Sequence, residues 1–199
     1  MSTHKIVTLC AVTLSAVLGG FAAVASDGPS PAKAVRPLAE RVARGEYIVK
    51  TSACHDCHTP LKMGPKGPER DMTRMLSGHP AQLAMPPAPA LRPDAPWNAT
   101  ISATMTAWSG PWGTSFTANL TPDKETGLGG WTPRNFVETI RNGRHQGRGR
   151  PLLPPMPWEV YSNLTDDDLE SVFAYLQSIP PVKNRVPQPL PPVLVTAAK

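Results

Sequence analysis

Cys54-His55-Asp56-Cys57-His58 is the stretch on which the reading of this chain turns. Two thiols three positions apart lie on one helical turn, and an imidazole stands one position past the second thiol and four past the first. Cys-x-x-Cys-His is the spacing that offers two sulfurs to the two vinyl groups along one haem edge while the imidazole reaches the iron from below the ring. A single copy in 199 residues implies one covalent haem c.

Other uses of the same residues fit less well. Half a zinc site would need further ligands; no second Cys-x-x-Cys follows, and Cys10 is remote and falls in a segment expected to be removed. A thioredoxin-like redox pair should sit beside a βαβ pattern, which the chain does not display. A disulfide between thiols three apart would staple very little and would leave His58 unexplained.

The amino terminus agrees with covalent haem, which is assembled outside the cytoplasm. After Met1-Ser2-Thr3-His4-Lys5 the chain runs uncharged from Ile6 to Ala25 and ends in Ala23-Val24-Ala25, so residues 1–25 read as a signal peptide cleaved after Ala25 and the protein as periplasmic. The uncharged run is also long enough to span a bilayer, and its retention would make a membrane-anchored form. Cleavage removes Lys5 and no acid, which lowers the formal charge from +5 to +4.

Twenty-five prolines argue for long irregular connections, and strands are hard to find in the sequence. The expectation is an all-α haem domain over 38–187, preceded by an extended leader (26–37), interrupted by an irregular Pro-rich insertion (60–112) and followed by a tail (188–199). Leu38, Val42, Tyr47, Ile48 and Val49 mark a first helix from Leu38 to Ala53 that carries the chain into the haem motif. Gly45 costs that helix up to about 1 kcal/mol relative to Ala, which close approach of another helix would explain. The expected partner is the last helix, Asp166 to Ser178, capped by Thr165 and striped by Leu169, Val172, Phe173, Leu176 and Ile179 before Pro180-Pro181 stops it. Tyr175 could pack near Gly45 and Tyr47. A third helix, Thr132 to Asn142, is signalled by a Thr N-cap, Pro133, and Phe136, Val137 and Ile140 on one face, with Gly143 ending it. In the insertion one short helix is expected near Glu69 to Leu76, and Trp97, Trp108 and Trp112 are candidate packing residues.

An iron held by His58 has a second axial position. Met156 is the candidate: in Pro154-Pro155-Met156-Pro157-Trp158 three prolines restrict the backbone and Trp158 could cover the haem. Met85 competes with it, His79 or His145 could give a bis-histidine site, and Met63, Met72, Met75 and Met105 read as packing or surface residues.

Together these features resemble a mono-haem c-type cytochrome: an N-terminal helix, Cys-x-x-Cys-His, a methionine loop, and a C-terminal helix ending Phe173-Ala174-Tyr175-Leu176. The stretches Ala118-Asn119-Leu120-Thr121-Pro122-Asp123, Gly127-Leu128-Gly129-Gly130-Trp131-Thr132 and Leu153-Pro154-Pro155-Met156-Pro157-Trp158 are similar to cytochrome subunits serving periplasmic dehydrogenases. The resemblance covers about residues 40–187; the segment between His58 and Gly113 departs from it. It implies thioethers at Cys54 and Cys57, His58 as proximal and Met156 as distal ligand, and a non-enzymatic carrier passing single electrons between a dehydrogenase and the respiratory chain. The implied partners are redox proteins: a dehydrogenase, an oxidase or another cytochrome. A haem enzyme or small-ligand sensor with an open or labile sixth site is the alternative. Arg141, Arg144, Arg148 and Arg150, interleaved with glycines and His145, suit haem propionates or an acidic redox partner better than nucleic acid, with a solvated loop as the plain alternative.

Overall fold

The computed structural model describes residues 36–89, 91 and 96–192. The expected signal peptide, its cleavage site after Ala25, Cys10, nearly all of the leader and the end of the tail lie outside the described residues.

The first helix, α1 (Leu38–Thr51), starts at Pro37, whose carbonyl accepts the Arg41 N–H at 2.9 Å. It buries Gly45, Ile48 and Val49. Leu38 and Tyr47, two residues of the expected apolar face, are instead exposed (69% and 60%), because the buried stripe is the one that follows Gly45. The last helix, α5 (Asp166–Ser178), buries Leu169, Val172, Phe173, Tyr175 and Leu176, and Ile179 beyond its end. Thr165 caps it by accepting the Asp168 N–H at 3.1 Å, while the three aspartates of the first turn meet the positive end of the helix dipole. α1 and α5 cross at Gly45. A β-carbon there would collide with the Ser171 carbonyl and come within 2.8 Å of the Tyr175 Cβ, so the residue that weakens α1 in isolation is the one that admits α5. The crossing is also clamped by three ion pairs, Arg36–Asp167 (2.7 Å), Arg41–Glu170 (3.0 Å) and Arg44–Asp168 (2.8 Å).

A third helix, which we number α3 after the short α2 (Cys54–His58) of the Cys-x-x-Cys-His segment, spans Pro133–Asn142. Thr132 accepts the Asn135 N–H at 3.1 Å and Asn135 Oδ1 accepts the Thr132 N–H at 3.2 Å, a reciprocal cap in which Asn stands where Glu or Gln is usual. Its Phe136 tilts against Phe173 of α5 at 5.5 Å between ring centres, closing a core that includes Leu76 and Leu128.

Residues 60–112 correct the expectation of an all-α chain with an irregular insertion. Two antiparallel sheets form from this region and the residues just beyond it: β1 (Leu61–Gly64) with β2 (Gly67–Arg70), and the order β3 (Thr100–Ile101), β4 (Ala107–Gly110), β5 (Gly113–Phe116). Strands of two to four residues are too short for alternating burial to register in sequence. The missed signal was in the turns. Gly64-Pro65-Lys66-Gly67 and Gly110-Pro111-Trp112-Gly113 close the two hairpins, with glycine opposite glycine in each register. Proline presets φ at the first turn residue and the final glycine takes positive φ, +118° at Gly67 and +96° at Gly113. The helix expected near Glu69–Leu76 reduces to a 3₁₀ turn at Met72–Arg74, capped by Asp71. Trp97, expected to pack, is 73% exposed.

The chain returns from α5 as a strap. Buried Asn184 donates to the carbonyls of Ser77 (2.7 Å) and His79 (2.8 Å) and accepts from Arg74 (3.0 Å) and the Ala81 N–H (2.9 Å), which uses all of its amide capacity. Asn119 holds the Val182 carbonyl at 2.8 Å from the other side.

Two outcomes are expected. Gly45→Ala should lower stability by about 2–3 kcal/mol, since the new methyl meets backbone that cannot swing away, and a thermal melt should fall by roughly 5–10 °C. Asp168→Asn should behave differently with pH. The Arg44 guanidinium holds the Asp168 carboxyl below its ordinary value, so the pair stabilises the fold above that range and its contribution disappears as pH falls through the depressed value. Melts at neutral pH should therefore favour the wild type, and the difference should shrink as the solution is acidified below the ordinary aspartate range.

Candidate functional site

α1 ends at Thr51, and Ala53 then adopts the left-handed conformation (φ +57°) before α2 begins. That reversal turns the motif out of the α1 direction, and Tyr161 secures it by donating from its hydroxyl to the Ser52 carbonyl at 2.6 Å. Cys54 and Cys57 are both free thiols on the single turn of α2. Cys54 packs against the core and burial pushes its pKa up to about 11; Cys57 is raised in the same direction by burial and then by Asp56. Asp56 pairs with Arg70 of β2, and the His55 ring bonds Thr59 Oγ1 at 3.0 Å, so the two residues between the cysteines face away from each other into separate contacts.

His58 is fixed at both its backbone and its ring. Its carbonyl accepts the Gly78 N–H at 2.8 Å, and its Nδ1 donates to the Ala118 carbonyl at 2.8 Å. That bond sets the tautomer with the proton on Nδ1 and leaves Nε2 as the free lone pair, for which no partner stands among the described residues. The ring keeps part of its surface open, yet the protein packed about it pushes its pKa below the ordinary histidine value, against the pull of the Ala118 carbonyl. A neutral imidazole with a bare Nε2 is the state that binds a metal. The Ala118 acceptor is a backbone atom, so residue identity gave no sign of it. The frame behind it is made by residues 76–79 and 117–120 lying side by side, with Leu120 N–H to the Leu76 carbonyl (2.9 Å) and His79 N–H to the Thr117 carbonyl (3.0 Å). Gly78 (φ +76°) is required there because a β-carbon would strike the Thr117 and Ala118 carbonyls.

Met156 is partly buried and packs against the main core. Its loop is tied from two directions, by Ser115 of β5 to the Pro154 carbonyl (2.6 Å) and, through the short helix α4 (Trp158–Tyr161), by the Tyr161 bond to Ser52. The Tyr161 hydroxyl also feels the motif: its pKa is raised first by burial, then by the Cys54 and Cys57 thiols. The Trp158 ring lies against Gly143.

Of the competing ligands, His79 is taken up by other contacts. His79 is fully buried with both nitrogens in use, Nδ1 on Thr106 Oγ1 (2.9 Å) and Nε2 on the Leu83 carbonyl (3.0 Å), which removes it from any bis-histidine site. His145 is exposed and stands edge-on to Trp131 at 5.1 Å. Met85 is partly buried in an irregular segment, Met63 and Met72 are exposed, and Met75 packs on the core. The arginine run divides. Arg141 is spent on the Ser162 carbonyl and Asp166, whereas Arg144, Arg148 and Arg150 are exposed on a loop folded back on itself, Arg144 and Arg150 donating only to the carbonyls of Gly149 and Pro151.

The residues fit a covalently held haem. Two reduced thiols on one turn can each add across a vinyl double bond, and an oriented imidazole follows with its outer nitrogen bare. Among the described residues no group of three or more His, Cys, Asp or Glu side chains is arranged to hold a metal ion. No helix among them is long and apolar enough to cross a membrane.

The chain is similar along most of its length to cytochrome subunits of dehydrogenases. It shares 29% identity over 167 residues with the fructose dehydrogenase cytochrome subunit of Gluconobacter japonicus, covering 81% of this chain and 26% of that protein. With the gluconate 2-dehydrogenase cytochrome c subunit of Pantoea cypripedii it shares 28% over 172 residues, 85% of this chain and 29% of the other. A shorter match, 35% over 80 residues, is to the cytochrome c subunit of the quinone alcohol dehydrogenase of Gluconacetobacter polyoxogenes and covers 40% of this chain and 17% of that one. The chain thus spans about a quarter of the length of the curated relatives it matches most extensively. No family model matches it.

Ala53→Gly should relieve the left-handed backbone at an exposed position. The expected gain is about 0.5–1 kcal/mol, read as a melting temperature higher by roughly 1–4 °C with the haem content of the purified protein unchanged.

Proposed function

We propose that this chain is an exported, periplasmic one-electron carrier holding a single haem c, with Cys54 and Cys57 as the thioether sulfurs, His58 as the proximal ligand and Met156 as the distal one. In this reading it is not an enzyme: it relays electrons from a dehydrogenase toward the respiratory chain, on its own or as a subunit of the dehydrogenase complex. The haem would supply reversible ferric–ferrous chemistry, and a thioether on the second face raises the potential relative to a second imidazole.

The observation that carries the reading is the state of His58. Its Nδ1 proton is committed to Ala118, its Nε2 is bare, and the thiols that precede it on α2 are unpaired. The polypeptide's work is then to hold groups in place. Cys54 and Cys57 would hold the group through two thioethers, a thiol-to-vinyl addition that needs no oxidant because each thiol hydrogen would go to the vinyl carbon beside the one that sulfur bonds. The Ala118 carbonyl would hold the imidazole plane in one orientation. Burial of Cys54 and the packing of Met156 on the core limit water at the site, which lowers the reorganisation that electron transfer requires. Similarity to the fructose and gluconate 2-dehydrogenase cytochrome subunits supports the dehydrogenase as partner class.

Expression of the full chain with a c-type maturation system tests this. Denatured protein should retain haem stain, carry the mass of one haem and begin at Ser26. The ferric form should be low-spin with the weak far-red band of sulfur ligation, and Met156→Ala should lose that band and turn high-spin. A chain without covalent haem would end the proposal; a wild type already high-spin would move it to a ligand-binding haem protein.

A further inference from the structure

The loop that carries Met156 has an unusual hydrogen-bonding problem. Residues 154, 155 and 157 are prolines, so three of its five positions from 154 to 158 have no N–H with which to anchor themselves. As a backbone donor it makes a single bond, from the Met156 N–H to the Leu153 carbonyl at 3.3 Å, while the Pro157 and Trp158 carbonyls accept only from α4 and the residue after it. Anchorage has to come from donors elsewhere, aimed at backbone carbonyls, and the structure provides one on each side. Ser115 is 8% exposed, and its one hydroxyl hydrogen goes to the Pro154 carbonyl at 2.6 Å in preference to the Trp108 carbonyl at 3.4 Å. On the other side the Tyr161 hydroxyl reaches back 109 positions to the Ser52 carbonyl, also at 2.6 Å.

Both anchors run to the elements that hold the proximal half of the site. Ser52 lies two residues before Cys54. Ser115 lies three residues before Ala118, whose carbonyl fixes the His58 ring. One short piece of backbone, 115–118, therefore orients the imidazole at one end and grips the methionine loop at the other.

We infer that Ser115 and Tyr161 are positioning residues for the distal ligand: by fixing the Pro154 carbonyl and the α4 end to the frame of His58, they keep the Met156 thioether on the iron. The inference rests on the proposed role of Met156. A thioether is a weak donor, so its residence depends on how little the loop can move when the bond opens. Removing either hydroxyl frees the loop without touching a ligand.

The test compares the haem-loaded wild type with Ser115→Ala, Tyr161→Phe and Ser109→Ala. Ser109 lies in the same sheet and accepts only from Thr114 (3.1 Å), so its variant controls for general loosening of β4 and β5. The measurements are the far-red ferric band and the dissociation constant for added imidazole, which competes for the face Met156 would occupy. Ser115→Ala and Tyr161→Phe should each bind imidazole about two- to tenfold more tightly, the factor that one ordinary hydrogen bond represents. Ser109→Ala should match the wild type. Equal shifts in all three, or none in the first two while the wild-type band is present, would overturn the inference and leave the ligation standing. A wild type without that band would remove the role of Met156 itself. If Ser115→Ala yields no holoprotein, Tyr161→Phe on the opposite side decides the matter alone.

Discussion

The crossing of α1 and α5 at Gly45 is the constraint from which the rest of the molecule follows. Because there is no side chain at that position, Ser171 and Tyr175 approach the α1 backbone itself, and burial of Ile48, Val49, Leu169, Val172 and Leu176 around the contact drives the association. Once α1 is fixed, its C-terminal end is fixed, and with it the turn at Ala53 that sets the direction of the two cysteines and His58. Three arginine–carboxylate pairs border this contact. They are partly exposed, so their contribution is to register and to pH response more than to the depth of the energy well.

The site is built differently from the helical core. Its most specific interactions go to backbone carbonyls: Ala118 for the His58 ring, Ser52 for Tyr161, Pro154 for Ser115, Ser77 and His79 for Asn184. A carbonyl is present at every residue, and its direction is decided by the path of the chain. Such contacts leave no trace in the identity of the acceptor.

That division explains what could be read in the sequence. The cysteine and histidine spacing, the helix of Thr165 to Ser178 with its cap and stripe, and the meaning of Gly45 all depend on side-chain identity at short separation, and each was legible. The helix after Thr132 was legible too, although the reciprocal cap from Asn135 was not. The sheets are not legible because strands of two to four residues give too short a window for alternation to register, although their Gly-Pro-x-Gly turns stand in the sequence. His79 was weighed as a ligand because nothing in sequence reveals that Thr106 and the Leu83 carbonyl already occupy both ring nitrogens. Tyr161 went unnoticed for the reverse reason: its partner is distant in the chain and is not a side chain at all.

The strap ending in Asn184 bears on the order in which this molecule can be made. Residues 54–58 leave the ribosome, and any export channel, well before the segments that enclose them, since the enclosing contacts are drawn from 76–81, 115–120 and finally 182–184. A nascent chain therefore presents the two sulfurs and the imidazole of residues 54–58 on open polypeptide. A stretch made more than a hundred positions later supplies the amide that binds Ser77, His79 and Ala81 together, so this part of the frame beside His58 is completed only once residue 184 has been made.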